Sequence, residues 1–161
     1  MKHQFIFLSL FVFSACAQKS SDNEVHESKG HQEHATTQTH AQEDPFQLPK
    51  NAKVFFVNLQ NGQQMTSPVY VKMGVEGMKV VPSGQVVDGT GHHHILVDRG
   101  DFIPQKTMVP ADSAHIHFGG GQTETYLNLS PGKHKLALQF ADGIHRSYGK
   151  ALSATVDITV K

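Results

Sequence analysis

From residue 46 onward apolar and polar side chains alternate in short runs separated by Gly, Pro, Asn and Asp. Alternation with period two is the mark of a half-buried strand, because successive side chains point to opposite faces. Lys53 to Leu59 reads as one strand, and Asn61-Gly62 after it as a turn. Val69 to Val75 alternates again, Met78 to Val81 is a short third run, and His93 to Asp98 a fourth. His115 to Phe118 and Glu124 to Leu129 follow. Lys133 to Phe140 is the clearest case, with His134, Leu136, Leu138 and Phe140 on one face and Lys133, Lys135, Ala137 and Gln139 on the other. The last run, Ala154 to Val160, puts Val156, Ile158 and Val160 together. No stretch keeps a helical period. Seven or eight short strands with turn signals between them predict an all-β, immunoglobulin-like antiparallel β-sandwich over residues 46–161.

The first 45 residues follow other rules. Lys2, the apolar run from Phe5 to Phe13, and the small residues Ser14 and Ala15 have the layout of a signal peptide over 1–15. The run is too short for a mature membrane-spanning helix. Phe13-Ser14-Ala15-Cys16 is similar to a bacterial lipobox with Phe in place of the usual Leu. Cys16, the single cysteine, is then the lipidated N-terminus of the mature chain. The expected location is the bacterial cell envelope, periplasm-facing or at the surface, with the protein anchored to the membrane by acyl chains. Residues 16–45 carry one large aliphatic side chain, Val25, and no aromatic. Such a segment cannot bury enough apolar surface to offset its ordering entropy, so it reads as a disordered acidic tether. Its four histidines, His26, His31, His34 and His40, have no regular spacing and define no rigid site.

Charge narrows the function classes. Lys and Arg total 14, as do Asp and Glu, so the basic footprint of a nucleic-acid binder is missing. One cysteine makes neither an internal disulfide nor a cysteine-based zinc site. Ser130 and Ser147 lack the setting of a nucleophile elbow, and Gly119-Gly120-Gly121 has no phosphate-loop lysine after it. No catalytic constellation emerges, and the expectation is a protein that is not an enzyme.

The unusual number is 12 histidines in 161 residues, seven of them in the predicted domain. In an extended strand His92 and His94 share a face, with His93 opposite; His115 and His117 likewise share a face. Two His-x-His pairs on neighbouring strands bring four imidazoles together, a set suited to copper or zinc. His145 is a further candidate ligand. Asp98, Asp101 and Asp112 are available as ligands or as acceptors that orient an imidazole. His134 heads an apolar face and reads as a satisfied histidine at the core's edge. His93 packs with Ile95 and Val97 or faces solvent. The thioethers on offer are Met65, Met73, Met78 and Met108, of which Met73 and Met78 read as core fillers.

Several strings stand out: Gly74-Val75-Glu76-Gly77-Met78, Gly91-His92-His93-His94, the run from His115 to Glu124, and Pro131-Gly132-Lys133-His134. With them the chain resembles, over nearly all of residues 53–160, a bacterial exported family catalogued as domain of unknown function 4399. The resemblance implies an exported β domain to which the histidine motifs belong. Two expectations follow. One is an envelope lipoprotein that binds a transition metal for storage, delivery or sensing. The other is an immunoglobulin-like structural or protein-interaction module without metal, its protein partner unspecified.

Overall fold

The computed structural model describes Asp44 and residues 46–161. The expected signal peptide, the Cys16 anchor and nearly all of the acidic tether lie outside the described residues. Among the described residues no helix is long and apolar enough to cross a membrane.

Among the described residues nine strands form two sheets. They are β1 Lys53–Phe56, β2 Gln63–Met65, β3 Val69–Glu76, β4 Lys79–Val80, β5 Thr90–Val97, β6 His115–His117, β7 Glu124–Leu127, β8 Gly132–Ala141 and β9 Ser153–Val160. A 3-10 turn, Gly149–Leu152, leads into β9. The smaller sheet has the order β1-β3-β7 and is antiparallel. The larger has the order β2-β9-β8-β5-β4, with β6 also paired to β5. Its centre is antiparallel, while β2 joins β9 and β4 joins β5 in parallel. The sandwich expected from the alternation is therefore present with mixed pairing at its edges. Strand β2 escaped the periodicity because Gln63-Gln64-Met65 is short and polar.

The two faces of the larger sheet differ. The inner face carries Ile95, Leu136, Leu138, Phe140, Val156 and Ile158, which pack with Val54, Val69, Val71 and Met73 of the smaller sheet. Met73 and Met78 are core residues, as their neighbours suggested. The outer face is not bare. Leu96, Ala137 and Ala141 form a second apolar cluster with Ile103 and Val109 of the loop between β5 and β6. Gln139, wholly buried on this face, pins that loop down. Its Oε1 accepts from the Ile103 N–H at 2.9 Å, and its amide donates to the carbonyls of Gly149 and Leu152. Ser147 adds a bond from its Oγ to the Ile103 carbonyl at 2.8 Å. A buried amide with all these partners fixes one arrangement of loop on sheet, because any other would strand polar groups away from water. The histidine cluster is built in the crevice so formed.

Candidate metal centre

Strand β5 supplies the floor of the site. His92 and His94 project from the outer face, and both are buried. Their Nε2 atoms are 3.0 Å apart. Strand β6 runs antiparallel beside β5 with His117 opposite His94. The two rings stack with centroids 5.1 Å apart. One nitrogen from each of His92, His94 and His117 lies within 4.8 Å of the other two.

The fourth imidazole comes from a loop. His145 Nε2 is 3.0 Å from His117 Nε2, and its ring centroid is 5.0 Å from that of His92. Three features hold His145 there. Its backbone is in the left-handed region, with φ 71°. Its carbonyl accepts the Val109 N–H at 2.9 Å. The buried Asp142 clamps the turn, accepting from the N–H groups of Ile144 and Arg146 and from Arg146 Nε. A left-handed non-glycine residue is held against its preference by its surroundings, a condition that recurs at functional sites.

His115 does not join the cluster. It sits opposite Leu96, two residues further along β5 from His92 than His117 does. Its Nδ1 bonds to Asp112 Oδ1 at 2.8 Å. The acids that sequence offered to the site are engaged elsewhere: Asp112 with His115, Asp98 with His134, and Asp101 with Lys135. His134 is satisfied at both nitrogens, by Asp98 Oδ2 and by the Ser130 carbonyl. His93 points to the inner face, its ring edge-on to Phe140 at 5.0 Å.

Electrostatics favour the neutral form of His92, His94 and His117. Burial, assisted by His145 and His117 and opposed by Asp142, pushes His92 down to about 4. Burial and then His92, His117, His145 and His93 push His94 down to about 2. Burial and His145 also lower His117. Neutral imidazoles present a lone pair on one ring nitrogen, the form that ligates metal. Neutrality also sets a puzzle within the cluster. An Nε2···Nε2 contact is a hydrogen bond only if one partner carries its proton at Nε2 and the other at Nδ1. The Nδ1 atoms of both His92 and His94 are buried and have no partner among the described residues. The pair thus leaves buried polar atoms unmatched however its protons are placed. A cation between the Nε2 atoms engages both lone pairs at once, with both Nδ1–H groups still without a partner among the described residues. In a tetrahedral site with bonds of about 2.0–2.1 Å, neighbouring nitrogens lie roughly 3.3–3.4 Å apart. The 3.0 Å pairs are within a few tenths of an ångström of that spacing.

Glycines make room for these rings. A Cβ on Gly119 would collide with the His117 imidazole, and one on Gly143 with the Gln85 carbonyl that packs on the His145 turn. Beside the rings lies a cavity of about 190 Å³ lined by His94, His117, His145, Met108, Val109, Pro110 and Ala111. Met108, on offer as a thioether in the sequence but with nothing there to place it, is brought alongside by a bridge pairing it with Arg146.

Fold and site together define a β-sandwich domain with a multi-histidine cluster on the outer face of its larger sheet, in which His92 and His94 are buried, His145 is half-buried and His117 is exposed. The chain belongs to the family described as domain of unknown function (DUF4399), which it matches over residues 71–161. That span takes in His92, His94, His117, His145 and Met108. No curated protein matches the chain.

Proposed function

We propose that this domain binds a transition-metal ion, copper or zinc, through His92, His94 and His117, with His145 as a fourth ligand. The observation that carries the reading is the convergence of the first three on a common centre, with ligand nitrogens all within 4.8 Å. The two Nε2 contacts of 3.0 Å and the neutral state of the buried rings support it. Its role is non-catalytic, namely storage, delivery or sensing of the ion. The Cys16 motif makes it a lipoprotein of the bacterial envelope, and the histidines of the acidic tether gather ions near the domain.

Calorimetric titration of the purified chain with Zn(II) and Cu(II) tests the reading. Because the tether also carries imidazoles, the informative quantity is a difference. Wild type is expected to take up one tight equivalent that the double variant His92→Ala/His117→Ala lacks, with the weaker tether binding common to both. Identical isotherms for the two chains, or a melting temperature unmoved by either metal, would refute it. The outcome would then favour the other reading, a structural module whose histidines bond to one another.

A further inference from the structure

The cavity beside the cluster has an unusual lining. On one side stand His94, His117 and His145; on the other stand Met108, Val109, Pro110 and Ala111. Among the described residues no carboxylate lines it. The nearest buried acid, Asp142, spends its oxygens on Ile144, Arg146 and the guanidinium of Arg146. Met108 is about half exposed at 55% and stands at the mouth, while His92 and His94 lie beneath. The backbone on either side of the methionine is anchored, since Val109 N–H bonds to the His145 carbonyl and the Thr107 carbonyl accepts from the Ser147 N–H. Met108 thus presents a large, exposed apolar side chain from an anchored backbone beside the imidazole cluster, where burial in the core does not account for it.

We propose that Met108 is the ligand on the open side of this cluster, and that the site takes Cu(I) through imidazole nitrogen and the Met108 thioether. The inference rests on the metal-site reading above and specifies its ion. Two arguments carry it. Soft thioether donors select Cu(I), whereas imidazole alone serves zinc and copper alike. The donors are imidazoles and a thioether, no carboxylate among the described residues lines the cavity, and the wall opposite the histidines is apolar. Burying a charge in such surroundings costs free energy that rises steeply with the charge, so a monocation is favoured over a dication. A methionine at the rim further gives the ion an exit that a closed four-histidine cage lacks.

The test uses the full chain carrying Cys16→Ser, which removes the one thiol that would bind Cu(I) independently. Anaerobic competition against a chromophoric Cu(I) chelator gives the affinity, and copper X-ray absorption reports sulfur among the nearest scatterers. Met108→Leu, similar in volume, is expected to weaken Cu(I) binding by about tenfold or more and to leave Zn(II) affinity unchanged. The sulfur signal should disappear with it. Bound Cu(I) surrounded by nitrogen alone, or an equal loss of both metals in Met108→Leu, would overturn the thioether assignment while leaving the imidazole site standing. If neither ion binds in a manner that His92→Ala/His117→Ala abolishes, the site reading fails and this inference with it.

Discussion

His93 offers a test of the physics that is independent of any metal. It lies at the heart of the larger sheet, fully buried, with neither ring nitrogen bonded to a partner among the described residues. Its neighbour across the strand is Phe140, against which its ring stands edge-on. Leaving a buried donor or acceptor unmatched costs about 1–3 kcal/mol. The edge-on ring contact returns roughly 0.5–1.5 kcal/mol. His93→Leu removes the unmatched atoms, loses the ring contact and nearly conserves volume. The variant should therefore be more stable than wild type by about 1–2 kcal/mol at pH 7.5.

The difference should grow in acid. Burial, with His92 second, pushes His93 down to about 4 from an ordinary 6.5. A histidine depressed in the folded state binds its proton more readily when unfolded, so stability is lost as pH falls below 6.5. At pH 5 that loss is about 2 kcal/mol for one residue, from 1.5 pH units at 1.36 kcal/mol each. His92 and His94 contribute losses of the same sign in both chains; burial dominates each, so they cancel in the comparison apart from the small effect of His93 on His94. Urea unfolding of wild type and His93→Leu at pH 7.5 and pH 5, with chelator present, reads both quantities. A variant less stable than wild type at pH 7.5 would mean that the ring is usefully bonded. A gap that fails to widen at pH 5 would mean that His93 is not held neutral by burial.

Three further outcomes are expected. Gly119→Ala places a methyl group where the His117 ring stands, and it should weaken metal binding by about tenfold or more while the unfolding midpoint changes little; full affinity in that variant would show that His117 is not a ligand. Asp142→Ala strips three donors of their acceptor and should cost about 2–3 kcal/mol, with faster amide exchange across residues 142–147; unchanged exchange there would disprove the clamp on His145. In the His134–Asp98 pair the Ser130 carbonyl and Asp98 raise His134; burial opposes, but His134 and the Lys135 N–H lower Asp98. Both partners are charged between 3.8 and 6.5, so a His134→Gln/Asp98→Asn cycle should give a coupling of about 1 kcal/mol or less at pH 5.5. The coupling should be lost as pH rises through the raised His134 value, and a coupling equal at pH 5.5 and pH 9 would contradict the assignment.

How far the site was legible in the sequence turns on register. Period-two alternation correctly places His92 and His94 on one face and His115 and His117 on one face, and the two strands are neighbours. A square of four imidazoles also requires His92 and His94 to stand opposite His117 and His115. The antiparallel register is offset by two residues from that, with His94 facing His117 and Leu96 facing His115. Two residues of strand amount to roughly 7 Å, enough to carry His115 out of reach of His92. Register is set by the packing of Leu96 and Ile116 and by the turn after Asp112, none of which announces itself as chemistry in a linear reading. In the offset register the residue continuing beyond His117 toward His92 is Gly119, whose missing Cβ leaves room for the His117 ring. His117 takes the corner opposite His94, and the corner this leaves open beside His92 is taken by His145, delivered through a left-handed backbone and a buried Asp142 clamp. The same turn brings Met108 in by backbone pairing with Arg146. Strand periodicity thus supplies the three histidines on β5 and β6, while the groups that close the site come from irregular loops pinned by Gln139 and Asp142. Variation in those loops, with the sheet unchanged, would alter the open side of the cluster and hence which ion it holds.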